Sequence, residues 1–235
     1  MSWFGKLFRR LGPDLSGTAM TEFALALPLL LTVGLYGAET ANLALVNMKV
    51  SQLAIHIADN GSRIGDTSVI TNRPIFESDI NDLLAGSNIQ GGQALEFYER
   101  GRVILSSVEV FNSSMSCARG GCPKGPKPDG TIFIHWQRCK GKKSWTSNYG
   151  DDGDTINSGI GPAGEEVVPD PGNAVIFVEV AYDYRPLVSQ RFFGATTIKA
   201  ISSFTVRENI DLSGLQQRNP LAPNTPARCN VYNGY

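Results

Sequence analysis

Apolar residues dominate one long stretch near the start of the chain. Residues 23–38 form a run of 16 positions without a charged side chain, and after Glu39 the apolar character continues to Val46. At ~1.5 Å per helical residue, residues 23–46 cover ~36 Å, which exceeds the ~30 Å hydrocarbon layer of a bilayer. The pattern therefore predicts a transmembrane helix, with a local kink at Pro28.

The helical pattern does not stop at the end of this run. Apolar side chains recur at spacings of three or four residues, and then seven, at Leu43, Val46, Val50, Leu53, Ile57 and Ile64, while polar residues fill the rest of the wheel. This periodicity indicates an amphipathic helix. A single helix from residue 23 to about residue 63 would be ~60 Å long, and its outer half would pack on a head domain.

Four later segments are rich in β-branched and aromatic residues and partly alternate between apolar and polar positions. They are residues 102–111, 131–139, 174–184 and 196–208. Because no long helical pattern separates them, an antiparallel sheet is expected. One short helix is predicted over residues 79–85, capped by Ser78 and ended by Gly86. The predicted fold class is α+β, with a long N-terminal helix followed by a small antiparallel β-sheet head.

Charge determines the expected orientation. The net charge of −1 excludes a general basic field for nucleic acid. Lys6, Arg9 and Arg10 precede the apolar run, so the N-terminus is expected in the cytoplasm and the head on the far side. Glu22 and Glu39 are ~26 Å apart along a straight helix, which allows them to lie near opposite interfaces. A secretory signal peptide is the alternative, but it does not explain why the helical pattern continues.

The residues at the start of the helix carry a resemblance to a known family. The sequence GTAMTEF at residues 17–23, followed by an apolar helix, resembles the processing site of type IV pilin-like proteins. Together with EFAL, LPLL and a polar-studded helix ending near residue 65, it is most similar to TadE-like proteins of the Tad (tight adherence, Flp) pilus system. Thr18 departs from the Phe usual at the first mature position of major pilins, which favours a minor pilin or pseudopilin.

That resemblance implies a function and a set of partners. A prepilin peptidase would cut after Gly17, making Thr18 the new N-terminus and Glu22, followed by Phe23, the fifth mature residue. Residues 1–17 would then be a cytoplasmic leader, 18–65 the transmembrane and amphipathic helix, and 66–235 a periplasmic or extracellular α+β head. The expected role is a structural component of an adhesive pilus, anchored in the inner membrane and meeting other pilin-like subunits and the Tad assembly platform.

The chemistry of the cut can be stated without the family. Cleavage would expose an amine at Thr18, about one helical turn from the carboxylate of Glu22. Pairing of the two charges, within one chain or between neighbours, would offset part of their desolvation. Two alternatives remain: Glu22 as a simple interfacial residue at a helix N-terminus, and the whole chain as an uncleaved membrane-anchored binding or scaffold module.

Four cysteines complete the candidate residues: Cys117, Cys122, Cys139 and Cys229. If the head lies outside the cytoplasm, its cysteines are expected to form disulfides in that oxidising compartment. Of the three possible connectivities, the preferred one pairs Cys117 with Cys122 and Cys139 with Cys229. A zinc site that uses His135 is the less favoured alternative.

Other groups of residues give weaker indications of metal binding or catalysis. The aspartates of residues 151–154 lack calcium-loop spacing and are better interpreted as turn residues. The sequence carries no nucleophile elbow, P-loop or dinucleotide fingerprint, and His135 is expected to pack within a strand. Neither an enzyme nor a bound cofactor is therefore predicted.

Overall fold

The computed structural model describes residues 16–65, 68, 72–92, 95–115, 122–207 and 209–234. The basic residues Lys6, Arg9 and Arg10, and also Cys117 and Glu208, lie outside these ranges. The elements in chain order are α1 Ser16–Gly61, α2 Glu77–Gly91, α3 Phe97–Arg100, β1 Gly101–Val110, β2 Ile132–Lys140, β3 Thr155–Ile156, β4 Ala174–Asp183, α4 Gln190–Phe193 and β5 Thr197–Thr205. A long helix followed by an antiparallel sheet confirms the predicted α+β class.

The sheet has five strands in the order β3-β2-β1-β4-β5, and every neighbouring pair is antiparallel. The four long strands correspond to the four predicted segments. The two-residue β3 was not predicted, because it lies inside the polar connection between β2 and β4. A bulge interrupts the pairing of β1 with β2, where Ser107 faces Trp136 and Val108 faces Ile134, so that His135 is the extra residue.

The C-terminal half of α1 forms the centre of the head. Val50, Leu53 and Ile57 are buried, while Leu43, Val46 and Ile64 are partly buried against the same core. They pack with sheet residues such as Leu105 and Val178. Burial of each such side chain stabilises the fold by ~1.5–3 kcal/mol. The predicted amphipathic half of the helix is therefore confirmed, although the helix ends at Gly61 rather than near residue 63.

Helix α2 is longer than predicted at both ends. It begins at Glu77, after Phe76, whose backbone N–H donates to the carboxylate of Asp79 at 3.2 Å; Ser78 is therefore not the cap. It also passes through Gly86 and ends at Gly91. The continuation has a packing reason, since the hydroxyl of buried Ser87 lies 2.5 Å from that of Tyr98 in α3. Tertiary contact outweighs the low helix propensity of one glycine.

A disulfide ties the C-terminal tail to the sheet. Cys139 in β2 is bonded to Cys229 with an S–S distance of 2.03 Å, which is the pairing preferred from the sequence. Cys122 is also disulfide-bonded, whereas Cys117 lies outside the described residues. Beside the bridge, the buried guanidinium of Arg102 donates to the carbonyl oxygens of Gly141, Cys229 and Val231. The tail is thus held both covalently and by hydrogen bonds.

Candidate functional site

The N-terminal half of α1 carries the predicted processing and assembly residues. Every residue from 17 to 38 is exposed, including large apolar side chains. An 18-residue window of α1 is 0% buried, and the helix is long and apolar enough to cross a membrane. At ~1.5 Å per residue, residues 17–38 extend ~33 Å, close to the thickness of the hydrocarbon layer.

Gly17, Thr18 and Glu22 lie in the first two turns of this helix. Thr18 and Glu22 are four residues apart and therefore share one face. The carbonyl of Thr18 also accepts a hydrogen bond of 2.8 Å from the hydroxyl of Thr21. Phe23 is 58% exposed. The structure thus brings the predicted residues together in the first turns of one exposed helix.

The glycines of this half are not required by the packing of the described chain. A Cβ atom built at Gly17, Gly34 or Gly37 would meet no heavy atom of the described residues within 4 Å. By contrast, a Cβ at Gly61 would lie 3.0 Å from a methyl group of Ile176. Contacts among the described residues therefore do not explain why residue 17 is glycine.

The exposed half ends at Glu39, whose carboxylate is buried at the junction with the head. One oxygen accepts a hydrogen bond of 2.5 Å from the hydroxyl of Tyr184, and the other accepts from the backbone N–H groups of Leu187 and Val188 at 2.9 and 3.0 Å. Asn42 donates to the Tyr184 hydroxyl at 2.7 Å. We call this set of contacts the Glu39 junction. It joins α1 to the connection between β4 and β5.

The sequence placed Glu39 near an interface but did not indicate these partners. The three donors lie more than 140 residues further along the chain, where no local pattern links them to a helix. Burial, followed by the hydrogen bond to Glu39, raises the pKa of Tyr184 above its ordinary value. The only available indication was the isolation of one carboxylate in an apolar helical pattern.

A second feature is a cavity of about 660 Å³ on the sheet face opposite α1. It lies between the β2–β4 connection and the C-terminal tail, and its walls include Gln137, Trp145, Asp151 and Tyr232. Arg102 lies at its base, 4.1 Å from the centroid of the Tyr232 ring. Aromatic and polar groups around one cavity are typical of a small-molecule site, although the groups that hold the tail form part of this wall.

Among the described residues, the side chains considered for metal binding have other neighbours. Cys139 is in the disulfide, and Nδ1 of buried His135 lies 2.9 Å from Oε1 of Glu109. Asp154 accepts from Lys124 at 2.7 Å and from the backbone of Asp151 at 2.9 Å, as expected of a turn. Within the described part of the chain, no group of three His, Cys, Asp or Glu side chains is arranged to hold a metal ion.

Glu179 fixes the β2–β4 connection to the sheet. This buried carboxylate in β4 accepts hydrogen bonds from the hydroxyl of Ser147 and the backbone N–H of Asn148. Burial raises the pKa of Glu179 above its ordinary value, while those hydrogen bonds and the charge of Lys199 act in the opposite direction. The ionised form is therefore disfavoured in the folded state relative to the unfolded chain.

Replacing this carboxylate is expected to stabilise the head at neutral pH. A carboxyl group whose folded pKa is raised contributes stability below its unfolded pKa of ~4.3, and that contribution is lost as the pH rises through the folded pKa. Glu179→Gln removes the charge and keeps an acceptor oxygen. We expect a higher midpoint of denaturant unfolding than wild type at neutral pH, and a difference that shrinks toward ~pH 4. An equal or lower midpoint at neutral pH would contradict this.

Together these features define a class of protein: an α+β head built on a single long helix whose N-terminal half is apolar and exposed. Comparisons of the chain with protein-family models, with curated proteins and with solved structures found no significant match.

Proposed function

We propose that this protein is a structural component of a Tad/Flp-type adhesive pilus, a TadE-like minor pilin or pseudopilin that a prepilin peptidase processes after Gly17. The observation that carries the proposal is the combination of GTAMTEF at the first turns of α1 with an exposed apolar half that continues into the core of the head. A removable signal peptide does not require such continuity.

The surroundings of Gly17 support processing at this position. No contact in the described chain requires a glycine there, and the described helix residues around it are exposed, so that another protein can reach them. A peptidase that accepts only a small residue before the scissile bond would explain why residue 17 is glycine. The subsequent residue, Thr18, would then carry the new amine.

The placement of Glu22 supports a role in assembly. Its side chain lies one turn from Thr18 on a helix surface that no other described element covers. In lipid, an ammonium group and a carboxylate at this spacing offset each other's desolvation, within one chain or across to a neighbouring subunit. Phe23 and the exposed leucines would supply the apolar contact between packed helices.

The same arrangement leads to the proposed location and partners. The chain would lie in the inner membrane as a single-pass protein with a cytoplasmic N-terminus and a periplasmic head, and would enter or prime the pilus from there. Its partners would be the prepilin peptidase, other pilin-like subunits and the Tad assembly platform.

A second candidate function is an uncleaved membrane-anchored binding or scaffold module. The observation that favours it is the cavity of about 660 Å³, with Trp145 and Tyr232 in its wall. Such a module would keep residues 1–17 and would need no contact between helices of neighbouring subunits.

The N-terminus of the mature protein separates the two candidates. In cells with an active prepilin peptidase, we expect N-terminal sequencing and intact mass to show a chain that begins at Thr18. Gly17→Leu is expected to abolish this cut and leave residues 1–17 attached. Gly34→Leu is the matched control, since Gly34 has equally open surroundings on the same helix and its substitution should leave cleavage intact.

Two outcomes would contradict the proposed function. One is a wild-type chain that keeps residues 1–17 although the peptidase processes other substrates in the same cells, which would favour the uncleaved module. The other is a cut elsewhere in α1, which would indicate a secretory signal peptide.

A further inference from the structure

The connection between β4 and β5, residues 184–196, lies against α1 where the exposed apolar stretch ends. The backbone N–H groups of Leu187 and Val188 donate to Glu39, and the ring of Phe193 stacks on that of Tyr36 with centroids 5.5 Å apart. Two separate contacts, one turn apart on the helix, therefore fix the position of this connection along the axis of α1.

The outward surface of the connection combines apolar and cationic side chains. Leu187 is 66% exposed and Val188 is 41% exposed, although they are adjacent and apolar. Arg185 and Arg191 are also exposed. Tyr36, on the neighbouring turn of α1, is 60% exposed. Tyrosine, arginine and apolar residues at the end of an apolar helix are typical of the interfacial layer of a bilayer.

The Glu39 junction also removes an obstacle to contact with lipid. A loop that enters the interfacial layer must not present unpaired backbone donors to an apolar environment. At Leu187 and Val188 both N–H groups already donate to a carboxylate, so the side chains can face lipid while the backbone remains satisfied.

We propose that residues 185–193 bind the surface of the bilayer in which α1 is anchored. Leu187 and Val188 insert at the boundary between headgroups and acyl chains, and Arg185 and Arg191 bind phosphates of anionic phospholipids. The head thus has a second membrane contact beside its helix, which sets its orientation on the membrane. This inference rests on the membrane anchoring within the proposed function, and not on cleavage after Gly17.

Photocrosslinking in the full chain tests the contact. A diazirine amino acid is placed singly at Leu187, at Leu29 in the exposed half of α1, and at Leu221, which is 97% exposed in the tail. The protein is reconstituted in vesicles of equal phosphatidylcholine and phosphatidylglycerol, irradiated and analysed by mass spectrometry. We expect lipid adducts at residues 29 and 187 and none at residue 221.

The outcomes are distinguishable. Lipid adducts at residue 29 without any at residue 187 would overturn the proposed contact and leave the membrane anchor in place. Adducts from residue 187 to polypeptide instead of lipid would overturn it in favour of a second copy of the chain. Absence of lipid adducts at residue 29 would overturn the anchor and the contact together.

The arginines are tested in the same vesicles. Replacing Arg185 and Arg191 together by glutamine is expected to lower the share of phosphatidylglycerol among the adducts at residue 187, because the attraction to anionic headgroups is lost. An unchanged share would remove the two arginines from the proposal.

Discussion

Replacement of Glu39 by leucine is expected to loosen the β4–β5 connection at residues 187 and 188, while the stacking of Phe193 on Tyr36 remains. The change removes the shared acceptor of the Tyr184 hydroxyl and of the backbone N–H groups of Leu187 and Val188. The buried hydroxyl of Tyr184 would lose its acceptor, and the N–H groups of Leu187 and Val188 would no longer be protected, so this part of the connection is expected to open more often. In hydrogen–deuterium exchange on the full chain, we expect the amides of Leu187 and Val188 to exchange at least ~10-fold faster than in wild type.

Two variants make this result specific. Glu22→Leu changes a carboxylate in the exposed half of the same helix, and it is expected to leave exchange at residues 187 and 188 unaltered. Tyr184→Phe removes one of the three donors and is expected to have a smaller effect than Glu39→Leu. Wild-type exchange at residues 187 and 188 in Glu39→Leu would show that the junction does not hold this connection.

Loss of the Cys139–Cys229 disulfide is expected to destabilise the head and to release its tail. The two cysteines are 90 residues apart, and in the chain-entropy model closing a loop of that size destabilises the unfolded chain by ~4.6 kcal/mol. The backbone of Cys229 also accepts a hydrogen bond from buried Arg102. If the tail moves away, the guanidinium loses acceptors that it requires in a buried position.

The measurement compares wild type with a double variant that carries both Cys139→Ser and Cys229→Ser. We expect a lower midpoint of denaturant unfolding and faster proteolysis within residues 209–234. Cys122→Ser, which leaves the Cys139–Cys229 bridge in place, serves as the control and should keep the tail protected. A double variant with both a wild-type midpoint and a protected tail would refute the role assigned to the bridge.

The parts of the fold that the sequence predicted are those governed by local periodicity. The spacing of Val50, Leu53 and Ile57 predicted which face of α1 is buried, because a helix repeats every ~3.6 residues whatever it packs against. Runs of β-branched and aromatic residues predicted the four long strands, because these residue types are enriched in strands. The placement of Gly17, Thr18 and Glu22 near the start of one long apolar helix also follows from a local pattern.

The remaining features depend on distant contacts. The role of Glu39 is set by Tyr184, Leu187 and Val188, and no local pattern connects these segments. Helix α2 extends through Gly86 because Ser87 reaches Tyr98, a contact between two elements. The burial of Arg102 in β1 depends on carbonyl groups near residues 141 and 229–231. Local propensity cannot report partners that only tertiary structure supplies.

The continuity of α1 has a mechanical consequence. The same helix is the apolar rod of residues 17–38 and, from Val50 to Ile57, the central support of the head, with no linker between the two. A hydrogen-bonded helix resists stretching far more than a flexible loop does. A force applied to the head is therefore transmitted along the helix axis to its N-terminal end with little compliance, so that the load falls on whatever holds residues 17–38 in place.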